Sequence, residues 1–148
     1  MKKKLFMITA LVILLFAAPS GGAGLCKLSG TIRGLSGHYK AYLFLYNDET
    51  DNWFTETAYK RLIIFPANIK DGKADYSFML PEGRYAIAVF EDTNENQKFD
   101  AGGLFNIPRE SYGFYRRYRP FWRLPSFSDC AFDLSGNYLN ANIPLTRK

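Results

Sequence analysis

From Cys26 onward, apolar side chains recur mostly at every second position. Cys26, Leu28 and Ile32 share one face while Lys27, Ser29, Thr31 and Arg33 occupy the other, a pattern that predicts a half-buried first strand. Gly34 to His38 reads as a turn. The segment Ala41 to Tyr46 is apolar on both faces, as in a central strand covered from two sides, and Asn47 to Asn52 breaks it. Leu62 to Phe65 forms a further apolar run that stops at Pro66. Beyond the Asp71-Gly72 turn, Tyr76, Phe78 and Leu80 alternate with Asp75, Ser77 and Met79, predicting a strand from Ala74 to Leu80. Pro81-Glu82-Gly83 turns the chain into Arg84 to Phe90, which carries Tyr85, Ile87 and Val89 on one face and Ala86, Ala88 and Phe90 on the other. This strand is expected to be buried on both sides. Ala131 to Leu134, a Ser135-Gly136-Asn137 turn and a last strand over Tyr138 to Leu145 close the pattern, with Pro144 marking an edge.

No stretch of ten or more residues past the leader carries a helical stripe with caps. Short strands at this spacing predict an all-β, antiparallel β-sandwich. Between Glu91 and Asp129 strand signals fade, yet aromatics, Gly and Pro are dense. Loops this long in compact domains are usually functional or ordered by their own packing, so the search for function starts here.

The 148 residues suit a single domain. The first 24 read differently: Lys2, Lys3 and Lys4 precede an apolar run from Leu5 to Ala18 and a small-residue stretch ending at Gly24, the pattern of a secretory signal. The run is short for a membrane-crossing helix, so the expectation is an exported, periplasmic or extracellular domain over residues 25–148 with no span after cleavage. Lipid attachment at Cys26 is disfavoured, because Leu25 stands where a small residue belongs. Three lysines leave with the leader, and the formal charge falls from +5 to +2. That excess gives little drive toward polyanions, and nucleic-acid binding is not expected.

Cys26 and Cys130 are the only cysteines. An oxidising compartment would let them pair, which in the chain-entropy model contributes about 4 to 5 kcal/mol; the competing reading is two buried thiols. A single histidine, His38, in a Gly-flanked turn leaves neither a His-based triad nor a zinc ligand set, and phosphate-loop and dinucleotide fingerprints are absent. The loop carboxylates give no indication of the separation that glycoside hydrolysis needs. No enzyme activity is expected.

Ligand chemistry concentrates in two segments. Asp92, Asn94, Asn96 and Asp100 occupy positions one, three, five and nine of an acidic loop, with the Lys98 carbonyl at position seven, a spacing that converges oxygens on calcium. Gln97 stands where the sharp turn normally uses Gly, and Gly103 where a bidentate Glu would complete the shell. Completion then falls to Asp100, to water, or to a carboxylate from elsewhere such as Glu91 or Glu110. The alternative is that these residues only make Asx turns. The second segment interleaves Arg109, Arg116, Arg117, Arg119 and Arg123 with Tyr112, Tyr118 and Trp122, a combination suited to an acidic envelope glycan, lipopolysaccharide or an acidic protein partner. Against that stands an ordinary role for the aromatics in pinning the loop to the sandwich.

The stretch Gly83 to Phe90, followed by Glu91-Asp92-Thr93-Asn94-Glu95-Asn96-Gln97-Lys98-Phe99-Asp100, Ile107-Pro108-Arg109-Glu110-Ser111-Tyr112-Gly113-Phe114 and Pro125-Ser126-Phe127-Ser128-Asp129, resembles the exported bacterial family called domain of unknown function 2141. Members usually show His-Asp before the asparagines and Gly inside the loop, where this chain has Glu91-Asp92 and Gln97. The resemblance implies a prealbumin-like or immunoglobulin-like sandwich in the cell envelope and no established activity.

Overall fold

The computed structural model describes residues 24–48, 53, 57–102, 107–116, 125–136 and 138–146. Residues 1–23, nearly all of the expected secretory signal, and the stretch 117–124 therefore lie outside the described residues. Among the described residues, eleven strands appear in chain order: β1 (Leu25–Arg33), β2 (Ala41–Asn47), β3 (Lys60–Ile64), β4 (Lys73–Pro81), β5 (Gly83–Glu91), β6 (Ala101–Gly102), β7 (Ile107–Pro108), β8 (Tyr112–Phe114), β9 (Phe132–Leu134), β10 (Tyr138–Asn140) and β11 (Ile143–Pro144). A 3-10 turn at Pro66–Asn68 joins β3 to β4, and the one-turn helix α1 (Phe127–Cys130) precedes β9.

The strands form two main sheets, as the alternating pattern predicts. In the first, β1 pairs antiparallel with β4 along its whole length, and β10 and β11 run in line along its other edge, both parallel to β1. The sheet is thus mixed rather than purely antiparallel. The interruption between β10 and β11 is built around Ala141. Its N–H donates to the Ser29 carbonyl, its carbonyl accepts the Tyr76 hydroxyl at 2.5 Å, and Asn142 Oδ1 accepts the Thr31 N–H at 2.9 Å. Gly30 is obligatory at this crossing, since a Cβ there would lie 2.0 Å from the Ala141 carbonyl oxygen.

In the second sheet the order is β3-β2-β5-β8, with β9 in line with β8 along the same edge of β5. Both its central strands are covered on two faces. Leu43, Leu45, Ile87 and Val89 pack with Leu28, Ile32, Leu80 and Ile143 of the first sheet in an aliphatic inter-sheet core. The alternate positions Tyr42, Phe44, Tyr46, Ala86, Ala88 and Phe90 form a separate layer with Phe114 and Cys130. This outer layer is roofed by half-buried Trp53, Phe99, Tyr112 and Phe127. Trp53 is central to it: its indole N–H donates to the Pro125 carbonyl at 2.6 Å and its ring meets Tyr46 edge-on at 4.8 Å.

The expected Cys26–Cys130 disulfide is not present; both thiols are free and buried. Cys26 belongs to the inter-sheet core and Cys130 to the outer aromatic layer, so the second sheet separates them. A disulfide needs Cα atoms within about 7 Å, which residues on opposite sides of a sheet do not offer. Burial, with a smaller effect from neighbouring Asp129, pushes the Cys130 thiol up to about 12, and it is held protonated at neutral pH.

Candidate functional site

At the end of β5 the buried run of side chains continues into two carboxylates, and they part company. Glu91, 3% exposed, turns back to accept the N–H and hydroxyl of Ser36 at 2.8 and 2.7 Å. Asp92, 1% exposed, turns into the following loop and accepts the N–H groups of Asn96 at 3.1 Å and Gln97 at 2.9 Å. Its own N–H donates to the Lys40 carbonyl, which ties the loop to the residue preceding β2.

The loop winds tightly around Asp92. Asn94 Oδ1 accepts the Asn96 N–H at 3.2 Å and Asn96 Oδ1 accepts the Lys98 N–H at 2.8 Å, successive Asx turns that bring the side chains inward. Glu95 and Gln97 both adopt left-handed backbone, with φ of 60° and 64°. The position that normally calls for Gly therefore does take the conformation Gly favours, at a cost of about 1 to 2 kcal/mol for a side-chain-bearing residue. The Gln97 side chain accepts from Arg61 of β3 at 3.4 Å, and the Arg61 guanidinium lies 4.6 Å above the Tyr42 ring.

Glu110, 3% exposed, spans the mouth of the loop. One of its oxygens accepts the Thr93 N–H at 3.0 Å and the other the Asp100 N–H at 3.2 Å, so one carboxylate clamps both ends. The β6–β7 ribbon and the Arg109 N–H bond to the Asp100 carbonyl continue the closure. Burial is the main cause of a Glu110 pKa raised above the ordinary glutamate value. The N–H bonds from Asp100 and Thr93 counter it, and the charges of Asp92 and Asp100 raise it further.

Half-buried Asp100 completes a group of three carboxylates, and it accepts the amides of Asn94 at 2.5 Å and Asn96 at 2.9 Å. No buried side-chain nitrogen or oxygen among the described residues lacks a hydrogen-bond partner. Charge is another matter: among the described residues none of these three carboxylates is ion-paired with a lysine or arginine. Nor, among the described residues, do three or more Asp, Glu, His or Cys side chains stand ready as a preformed metal cluster. A cation here would draw on carboxylates and amide oxygens together and would require the two asparagine amides to turn.

The structure therefore brings together Asp92, Asn94, Asn96 and Asp100, while exposed Lys98, expected to offer its carbonyl, donates its N–H to Asn96 Oδ1. Of the two outside carboxylates considered, Glu110 joins the loop and Glu91 does not. The arginine and aromatic segment is described only in part, since Arg117, Tyr118, Arg119, Phe121, Trp122 and Arg123 lie outside the described residues. Arg116 is exposed. The Arg109 guanidinium lies over Gly102, where an added Cβ would come within 2.7 Å of it. Tyr112 is half-buried, its ring 5.7 Å from those of both Phe99 and Phe114, and it acts as part of the roof over the aromatic layer. His38 is exposed beside Tyr39.

Fold and site together define a small all-β sandwich whose β5–β6 connection is organised by buried carboxylates. The chain belongs to the family described as uncharacterized proteins conserved in bacteria, DUF2141, whose model matches residues 32–142. No curated protein and no solved structure matches it.

Proposed function

We propose that this is a non-catalytic, exported cell-envelope protein whose 92–100 loop, completed by Glu110, binds calcium as a structural ion. The observation that carries the reading is the packing of Asp92 and Glu110, 1% and 3% exposed, beside Asp100, with no lysine or arginine among the described residues ion-paired to any of the three. Buried carboxylates are ordinarily paired with a cation or coordinated to a metal, because hydrogen bonds alone offset only part of the desolvation cost. A hard divalent ion suits an all-oxygen set, and the loop's spacing and left-handed sixth position suit calcium in particular. With two neutral asparagines in the set, affinity is expected in the weak range of extracellular modules, about 10⁻⁴ to 10⁻³ M.

The ion would act by fastening the loop, and with it Phe99, over the aromatic layer of the second sheet. Calorimetric titration of the purified protein with calcium, beside an Asp92→Ala/Asp100→Ala variant, tests this. Saturable binding that the double substitution removes supports the reading. No heat and no rise in melting temperature at about 10 mM calcium would reduce the loop to self-contained turn chemistry.

A further inference from the structure

The outer face of the first sheet carries an independent feature. Arg33 of β1 and Lys73 of β4 are directly opposed in the antiparallel register, and Lys70 is joined to Lys73 across the Asp71-Gly72 turn by reciprocal N–H to carbonyl bonds of 2.9 Å. All three side chains are exposed and line a surface cleft of about 330 Å³, together with Asn68, Thr31 and Asp75. Like charges placed directly opposite one another destabilise a strand pair, so this register holds three cations together against their mutual repulsion. The one carboxylate in the cleft, Asp75, already accepts the Thr31 hydroxyl at 2.6 Å. Three cations against one carboxylate leave a net charge of +2 facing the cleft. Among the described residues, neither Arg33, Lys70 nor Lys73 is ion-paired.

We propose that this cleft is a binding site for a phosphate group, with the Arg33 guanidinium as the bidentate donor, Lys70 and Lys73 as flanking point charges, and Asn68 as a neutral donor. The combination matches a tetrahedral dianion: a planar fork engages two oxygens while ammonium groups take the others. A carboxylate would leave one of the three cations unused. The phosphate arrives either as a free phosphomonoester or as the headgroup of a lipid, and both present the same atoms to the cleft.

The test measures inorganic phosphate binding by calorimetry in a calcium-free, chelator-containing buffer, so that its outcome is separate from that of the loop. Phosphatidylcholine vesicles with and without phosphatidic acid, in a sedimentation assay, separate the two sources. Arg33→Gln and Lys73→Gln, both at exposed positions, are each expected to weaken binding about tenfold, and Asp75→Asn to strengthen it. Saturable phosphate binding without vesicle binding assigns a soluble ligand; sedimentation with phosphatidic acid that free phosphate reverses assigns a lipid headgroup. The proposal is overturned if neither probe binds, or if binding survives an Arg33→Gln/Lys70→Gln/Lys73→Gln variant whose circular dichroism and melting show it folded.

Discussion

The two faces of the second sheet are buried by different means. Between the sheets, Leu43, Leu45, Ile87 and Val89 meet aliphatic side chains carried on long, fully paired strands. On the outer face, Tyr42, Phe44 and Phe90 meet aromatic rings delivered by loops and one-turn elements, with Arg61 laid across the Tyr42 and Phe44 rings. Backbone pairing holds the first lid in place. The second has little sheet of its own, and its order depends on side-chain bonds, above all the Glu110 clamp and the turns around Asp92. The contrast explains why buried carboxylates gather where they do: they organise a lid that strand pairing does not.

Ile87→Ala should cause the largest change. It empties a fully buried inter-sheet position and is expected to lower unfolding free energy by about 2 to 5 kcal/mol in denaturant titrations, equally with and without calcium. Phe99→Ala removes a ring that packs 5.7 Å from both Phe90 and Tyr112 and should cost less, about 1 to 2 kcal/mol, with a smaller gain on adding calcium. Equal losses at the two sites, both indifferent to calcium, would erase the distinction between the faces.

Acid sharpens the comparison further. Because folding raises the Glu110 pKa, the folded state takes up its proton more readily than the unfolded chain does. Its contribution is present in full below the ordinary value of 4.5 and is lost as pH rises through the raised one. Calcium-free protein should therefore gain melting temperature across that window on acidification, and Glu110→Gln should flatten this component. Bound calcium, which needs the ionised carboxylate, should reverse the trend. Gln97→Gly, which relieves left-handed strain but gives up the Arg61 contact, should alter stability by no more than about 1 kcal/mol. Smallest of all is the effect of reductant: with Cys26 and Cys130 on opposite sides of the sheet, melting should not change, and alkylation should label both thiols only after unfolding.

The regular half of the molecule was legible in its residues. Alternation located β1, β2, β4 and β5 to within a residue or two, and the doubly apolar runs at 41–46 and 84–90 announced a sheet covered on both faces. The parallel placement of β10 and β11 was not legible, since residue pattern marks a strand's faces but not its direction. Nor was their separation by Ala141, which depends on Gly30, a residue of the first strand far away in the chain whose lack of a Cβ makes room for the Ala141 carbonyl. Ser126 and Asp129 do spell a capping box for α1, with reciprocal bonds between side chains and backbone, yet one helical turn is too short to show a hydrophobic stripe. At the site, spacing picked out Asp92 to Asp100, while the choice of Glu110 over Glu91 rested on which way each carboxylate turns. The cysteine pairing failed for the same reason: a compartment argument says nothing about which face of a sheet each thiol occupies.

Amide hydrogen exchange with and without calcium tests the central claim most directly. The calcium-bound loop should show slowed exchange at the N–H groups of Thr93, Asn96, Gln97 and Asp100 and through β8, while the inter-sheet strands around Leu43 and Ile87 stay unchanged, and Glu110→Gln should abolish the difference. Unaltered exchange at those amides under saturating calcium, or a slowing that survives Glu110→Gln, would contradict it.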